Sequence, residues 1–260
     1  MPPHDSYNYD ANGSGYGVQR RADPRIAAYI ERALGDARTV LNVGAGAGSY
    51  EPASRYVVAV EPSATMRAQR PPGAVPAVNA SAEALPFDDG AFDAVMAVAT
   101  IHHWSDLDKG LGELRRVARG PVVILAFDGD ALADYWLNDY APELIAAERG
   151  RYPSIDPPVG LVAARIGATA EIVPVPIPND CSDGIVEAFF GRPERLLDPA
   201  VRRAQSSWSF VAPEVERRFV AALSADLASG LWDEKYGHWR SAPLYWGSLR
   251  LIVGKPASPT

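Results

Sequence analysis

Apolar runs and helical stripes alternate through the first half of the chain. Val40, Leu41 and Val43 predict a buried strand, and YVVAV (Tyr56 to Val60) predicts a second. AVPAVNA (Ala74 to Ala80) predicts a third. FDAVMAVAT (Phe92 to Thr100) predicts a fourth, apolar on both faces as a central parallel strand should be, and PVVILAFD (Pro121 to Asp128) a fifth. Ahead of the first strand, Asp23 caps a helix with Pro24 in its first turn; Ile26, Ile30 and Leu34 stripe it and Gly35 ends it. A further helix starts at about Ser105, with Leu107, Leu111, Leu114 and Val117 on one face and Gly120 at its end. Only about ten residues join the first two strands, near the minimum for a parallel crossover. Any helix there must be very short, and Pro52 limits it further.

After Asp128 the pattern changes. Ala131 to Gly160 reads as helical and carries Tyr135, Trp136, Tyr140 and Tyr152. EIVPVPIP (Glu171 to Pro178) predicts a sixth strand, and Cys181 to Ser209 is helical and loop-like, with Phe189, Phe190 and Trp208. Val215, Phe219, Leu223 and Leu227 stripe a helix that Pro213 opens and Gly230 closes. Trp232, Tyr236, His238, Trp239, Tyr245 and Trp246 crowd the next segment, and SLRLIVG (Ser248 to Gly254) is a last strand. Strands alternating with helices predict an α/β fold with a doubly wound, mostly parallel seven-stranded sheet and a helical, aromatic-rich cap. The expected organisation is an N-terminal lid segment over 1–22, a ligand-binding α/β core over 23–128, a cap around strand six over 129–247, and a sheet-completing strand over 248–254.

Composition narrows the function classes. Of 260 residues, 47% are hydrophobic and 22% charged, as in ordinary globular proteins. The net charge of −7, with no basic block, argues against a nucleic-acid substrate. Cys181 is the only cysteine, so neither a disulfide framework nor a cysteine-based metal site is expected, and four histidines give no metal-ligand spacing. The polar N-terminus has no signal-peptide core, and no apolar run reaches the ~20 residues of a membrane span, so a cytoplasmic location is expected.

In VLNVGAGAGSYEP (Val40 to Pro52), a strand runs into a turn where Gly44, Gly46 and Gly48 remove every second side chain, so a ligand could lie against the backbone. Glu61 ends the next strand, seventeen residues after Gly44, where one carboxylate could accept both hydroxyls of a ribose. The dinucleotide fingerprint G-x-G-x-x-G fits poorly, because its third position is Ser49. Ligands of open parallel sheets sit outside the carboxyl ends of the strands. The glycine turn, Glu61, Ser81 to Glu83, Ala99 to Trp104 and Asp128 all fall on that edge.

With VVAVEPSATM, SAEALPFDDGAFDAV and IHHWSD following in order, the chain from about Thr39 to Asp128 resembles a class I S-adenosylmethionine (SAM)-dependent methyltransferase. It is most similar to the bacterial type 11 group with small-molecule acceptors. YGVQRRADPRI (Tyr16 to Ile26) resembles a cofactor-covering segment of that group. The resemblance implies a Rossmann-like sheet in the order 3-2-1-4-5-7-6 with the last strand antiparallel. It implies that Gly44, Gly46 and Gly48 line the methionine part of SAM, with Ala45 and Pro62 on the same two turns, and that Glu61 holds the ribose. Met66 would pack on the adenine, Ala82 and Glu83 would border its edge, and Ala99 would lie near the sulfonium. Tyr16 and Arg20 or Arg21 would close over the carboxylate end. Asn42 and Ser81 stand where the family usually has acids; Asn42 can accept hydrogen bonds but lacks the charge that favours an ammonium.

Methyl transfer is a displacement in which the protein aligns the nucleophile and excludes water. An oxygen acceptor also gains from a base, and the adjacent His102 and His103 follow the fourth strand where the acceptor should lie. Asp128 is a second candidate base, or could orient a histidine. The expected reaction is methylation of an O or N atom on a small-molecule acceptor of secondary metabolism. A SAM fold that no longer methylates, an NAD-dependent oxidoreductase and a non-enzymatic regulator on the same fold remain as alternatives.

Overall fold

The computed structural model describes residues 20–152, 155 and 161–257. Five parallel strands build the centre: β1 (Thr39–Val43), β2 (Tyr56–Val60), β3 (Ala77–Val78), β4 (Ala94–Val98) and β5 (Val122–Phe127). With β6 (Thr169–Pro174) and β9 (Leu249–Lys255) they form one seven-stranded sheet in the order β3-β2-β1-β4-β5-β9-β6. β9 runs antiparallel to both its neighbours. This is the order and direction that the resemblance implies. A two-stranded ribbon, β7 (Ile177–Pro178) against β8 (Leu244–Tyr245), lies apart from it.

The sheet buries side chains on both faces, which is why its strands are near-continuously apolar. Along β5, Val123, Leu125 and Phe127 enter one core while Val122, Ile124 and Ala126 enter the other. The first core takes Ile26 and Ile30 of α1 (Pro24–Ala33), whose N-cap Asp23 accepts from the Arg25 amide. The second takes Leu111, Leu114 and Val117 of α3 (Leu107–Val117), with Val162 and Ile166 of α5 (Leu161–Ile166). The short α2 (Ala64–Ala68), capped by the Ser63 hydroxyl, was not foreseen from its sequence.

The cap continues the first core. Its helices are α4 (Pro142–Arg151), α6 (Pro199–Arg203), α7 (Pro213–Ser229), α8 (Leu231–Tyr236) and α9 (His238–Ser241), joined by short 3-10 turns. The clustered aromatics pack on one another. Trp136 meets Trp232 edge-on at 5.6 Å between centroids, and Phe190 stacks on Tyr245 at 5.2 Å. Trp136 Nε1 donates to the Phe190 carbonyl at 3.1 Å. These rings are therefore the cap's own core.

Three elements differ from the reading of the sequence. No helix forms between β1 and β2, where residues 44–55 fold as successive turns around Pro52. The third strand shrinks to Ala77–Val78, because Pro76 interrupts the apolar run. EIVPVPIP divides into β6 and β7: the edge strand β6 tolerates its terminal Pro174, but Pro176 cannot donate to a ladder. Among the described residues no helix is long and apolar enough to cross a membrane.

Glu187 joins cap to sheet where β9 begins. Its carboxylate accepts from the Ser248 amide at 3.0 Å and from the Ser248 hydroxyl. Burial pushes this carboxyl up to about 7 despite those bonds. Between the ordinary carboxylate value and about 7, the folded chain keeps a proton that the unfolded chain has released. This contribution is fully present at low pH and is lost as pH rises through about 7. Comparing urea midpoints of wild type and Glu187→Gln from pH 4.5 to 8 should show the wild type losing stability relative to the variant with rising pH, by at most about 3 kcal/mol.

Candidate active site

A cleft of about 520 Å³ opens at the carboxyl edge of the parallel strands. The turn after β1 forms its floor. Gly44, Gly46 and Gly48 have φ of +68°, +52° and +93°, a region that favours glycine. At Gly44 the absence of a side chain is also steric: a Cβ there would lie 2.8 Å from Thr100 Cγ2 and 2.9 Å from Thr100 Cβ. The facing turn after β4 is strained too, since Ala99 has φ +50° without being glycine.

Glu61 is oriented by this floor. One oxygen accepts from the Gly46 amide at 2.8 Å and the other from the Ser63 amide at 2.8 Å. The side chain lines the cleft and is buried. A carboxylate only accepts, with about four acceptor sites, so the group suits donors such as amides and hydroxyls.

Asn42 lies deeper, at the end of β1, and is 1% exposed. Its Nδ2 donates to Glu51 Oε1 at 3.1 Å. A carboxylate only accepts, so this bond settles which amide atom faces which way. Asn42 lines the cleft, and its Oδ1 is buried and has no hydrogen-bond partner among the described residues. Glu51 is itself held by Arg70 Nη2 at 2.9 and 2.7 Å. Glu51 and Arg70 were missed in the sequence, where nothing local marks the pairing.

The remaining expected residues divide. Arg20, Ala45, Pro62 and Met66 line the cleft, as do Ser81, Ala82, Glu83 and Ala99. Arg20 Nε is tethered to the buried Asp183 at 2.6 Å, and Tyr50 donates to the same carboxylate at 2.9 Å. Glu83 caps the chain at Ser105, accepting from its amide and hydroxyl at 2.8 and 2.9 Å. Burial would raise the Glu83 carboxyl, but these and neighbouring hydrogen bonds hold it below its ordinary value. Arg21, Gly48, His102 and Asp128 are not among the lining residues, and Tyr16 lies outside the described residues. Asp128 accepts from Arg250 Nη2 at 3.1 Å and from the Asp130 amide at 3.2 Å, so its carboxylate serves the β5–β9 junction rather than either histidine.

The two histidines have different surroundings. His103 lines the cleft beside Trp104. His102 packs behind it, with its ring 4.0 Å from that of His103 and edge-on to Tyr152 at 5.0 Å. Burial, reinforced by the charges of Arg151 and Arg20, lowers His103 to about 3. Burial lowers His102 as well, with His103 and the same two arginines adding to the effect. Among the described residues no group of three or more His, Cys, Asp or Glu could hold a metal ion.

Comparison with known proteins agrees with this architecture. Residues 41–126 match a methyltransferase domain family. A candidate methyltransferase from an antibiotic biosynthesis pathway of Anabaena variabilis superposes with TM-score 0.83 at 32% identity, over 91% of this chain and 98% of that one. A SAM-dependent methyltransferase of Thermotoga maritima shares the fold at TM-score 0.57 and 16% identity, over 95% of this chain and 97% of that one. The uncharacterized protein YafE of Escherichia coli is 37% identical over 61 residues, which span 22% of this chain and 30% of that relative's length.

The close approach at Gly44 makes a direct test. Gly44→Ala should lower the unfolding free energy by roughly 2–4 kcal/mol, through strain at positive φ and overlap with Thr100. Gly112→Ala, in the middle of α3 with open space around it, should raise it by about 0.5–1 kcal/mol. Chemical denaturation of the two variants checks both signs.

Proposed function

We propose that this chain, which belongs to the class I SAM-dependent methyltransferases, transfers a methyl group to an oxygen or nitrogen atom of a small-molecule acceptor in secondary metabolism. The family and the cofactor, S-adenosyl-L-methionine, rest on the comparisons above. The acceptor class is supported by the full-length likeness to the Anabaena protein. It is also supported by a net charge of −7, which disfavours polyanionic acceptors.

The observation that carries the assignment of the cleft is Asn42 Oδ1, a buried acceptor with no partner among the described residues, on a residue that lines the same cleft as Gly44 and Gly46. An unpaired buried polar atom costs about 1–3 kcal/mol, so a donor from a bound ligand is expected there. In this reading Asn42 accepts from the amino group of SAM, and Gly44 and Gly46 lie along its amino-acid portion. Glu61 takes the ribose hydroxyls, and Met66, Ala82 and Glu83 border the adenine. Arg20, already aligned by Asp183, serves the carboxylate end. The cofactor supplies a methyl group activated on a sulfonium. The chain's own part is alignment and exclusion of water, with Ala99 at the reacting end and His103 toward the acceptor.

Calorimetric titration with SAM, S-adenosylhomocysteine and NAD tests the cofactor site. Micromolar binding of the first two and none of NAD is expected. Glu61→Ala should weaken S-adenosylhomocysteine by about 100-fold, the loss of two charge-assisted hydrogen bonds, while circular dichroism stays unchanged. Unaltered affinity in that variant would remove Glu61 from the site.

A further inference from the structure

We propose that Arg151 is a positioning residue for His103: it fixes the imidazole in the tautomer with the proton on Nε2, so that His103 meets the acceptor as a hydrogen-bond donor and not as a base. The proposal rests on the reading that the acceptor lies at the His103 end of the cleft.

The geometry starts from one contact. Arg151 Nη2 lies 3.3 Å from His103 Nδ1. A guanidinium has five donors and no acceptor, and it stays charged, so Nδ1 can only be the accepting nitrogen. A neutral imidazole with a lone pair on Nδ1 carries its hydrogen on Nε2. A ring in that state has no site on Nε2 for a proton from the acceptor.

Arg151 is not free to move away. Its Nη1 donates to Glu148 Oε1 at 2.6 Å, and its guanidinium lies over the Phe210 ring at 4.0 Å. Both partners of this ion pair are more than nine-tenths buried. Glu148 also accepts from the Tyr152 hydroxyl. Glu148 and Arg151, at i and i+3 near the end of α4, share a face with Tyr152 just beyond it. Tyr152 stacks on Phe127 at 5.2 Å and holds the edge of His102. One helix end thereby anchors both histidines.

The charges around His103 act in the same direction. Among the described residues, Arg151 faces it from α4 and Arg20 from the N-terminal segment, and the His102 ring lies beside it. Glu148 is bonded to Arg151 and to the Tyr152 hydroxyl. Protonation on Nδ1 would set a second cation against the guanidinium in a buried site, in keeping with the lowering of His103 to about 3.

The tautomer can be read without knowing the acceptor. Long-range proton–nitrogen correlation spectra of the ¹⁵N-labelled full-length protein, with S-adenosylhomocysteine present and absent, distinguish the two ring nitrogens. The His103 signal is assigned by its loss in His103→Asn. From about pH 5 to about pH 8, His103 should remain neutral with its proton on Nε2. In the double variant Glu148→Gln/Arg151→Met, which leaves no bare carboxylate buried, the Nδ1–H form should appear and the ring should titrate nearer its ordinary value. A wild-type proton on Nδ1, or titration of wild-type His103 inside that range, would overturn the proposal even if the variant failed to fold. An unchanged tautomer in a folded variant would do the same. Calorimetry with S-adenosylhomocysteine on the same samples reports on the cofactor reading separately, so loss of one conclusion is not mistaken for loss of the other.

Discussion

β1 and β4 leave the sheet side by side, and the residues just beyond them, Gly44 and Thr100, pack so closely that only a hydrogen fits on the Gly44 Cα. Much of the candidate site depends on that approach. It requires glycine at the start of the turn, and the turn then proceeds through left-handed backbone at Gly46. The Gly46 amide is thereby aimed at Glu61, whose other oxygen is held by Ser63. The neighbouring strand exit is left-handed at Ala99, where no glycine relieves it. Backbone strain of this kind costs about 1–3 kcal/mol, and it persists because packed strands on both sides over-determine it. The cleft is thus made by backbone conformation before any side chain contributes.

The parts legible in the sequence are those set by local chemistry. β1, β2, β4 and β5 announce themselves as short apolar runs because both faces of a central parallel strand are buried. The glycine turn and Glu61 are legible for a related reason: positive φ excludes most other residues, and the end of the next strand lies at a known place in a doubly wound sheet. Elements with mixed signals were harder to read. Pro76 and Pro176 broke apolar stretches that looked continuous, and the single turn of α2 is too short to show a stripe. The aromatic segment gave no hint of its contacts, because a self-packed core and a ligand cage draw on the same residues.

The pairs that orient the site were not legible. Asp183 lies 163 positions from Arg20, and Arg151 lies 48 from His103. Neither pairing follows from periodicity or motif, since each depends on where the cap sits on the sheet. The same distance in sequence explains why Asp128 looked like a partner for the histidines. It does follow β5 directly, but Arg250 on the adjacent antiparallel strand claims its carboxylate.

Asn42 shows how a departure from a family pattern can follow from its neighbours. The resemblance leads one to expect an acid at this position. Here Nδ2 of Asn42 lies 3.1 Å from Glu51 Oε1, in a site where Asn42 is nearly inaccessible. An aspartate in the same rotamer would set two carboxylates against each other, and only one of them could keep its charge without a large penalty. Arg70 already neutralises Glu51 through two short hydrogen bonds. The negative group therefore lies one residue back, behind the neutral amide that lines the cleft. The amide keeps one thing a carboxylate would have offered, an oxygen that can accept a hydrogen bond. It gives up the direct charge, and its Oδ1 stays buried with no hydrogen-bond partner among the described residues.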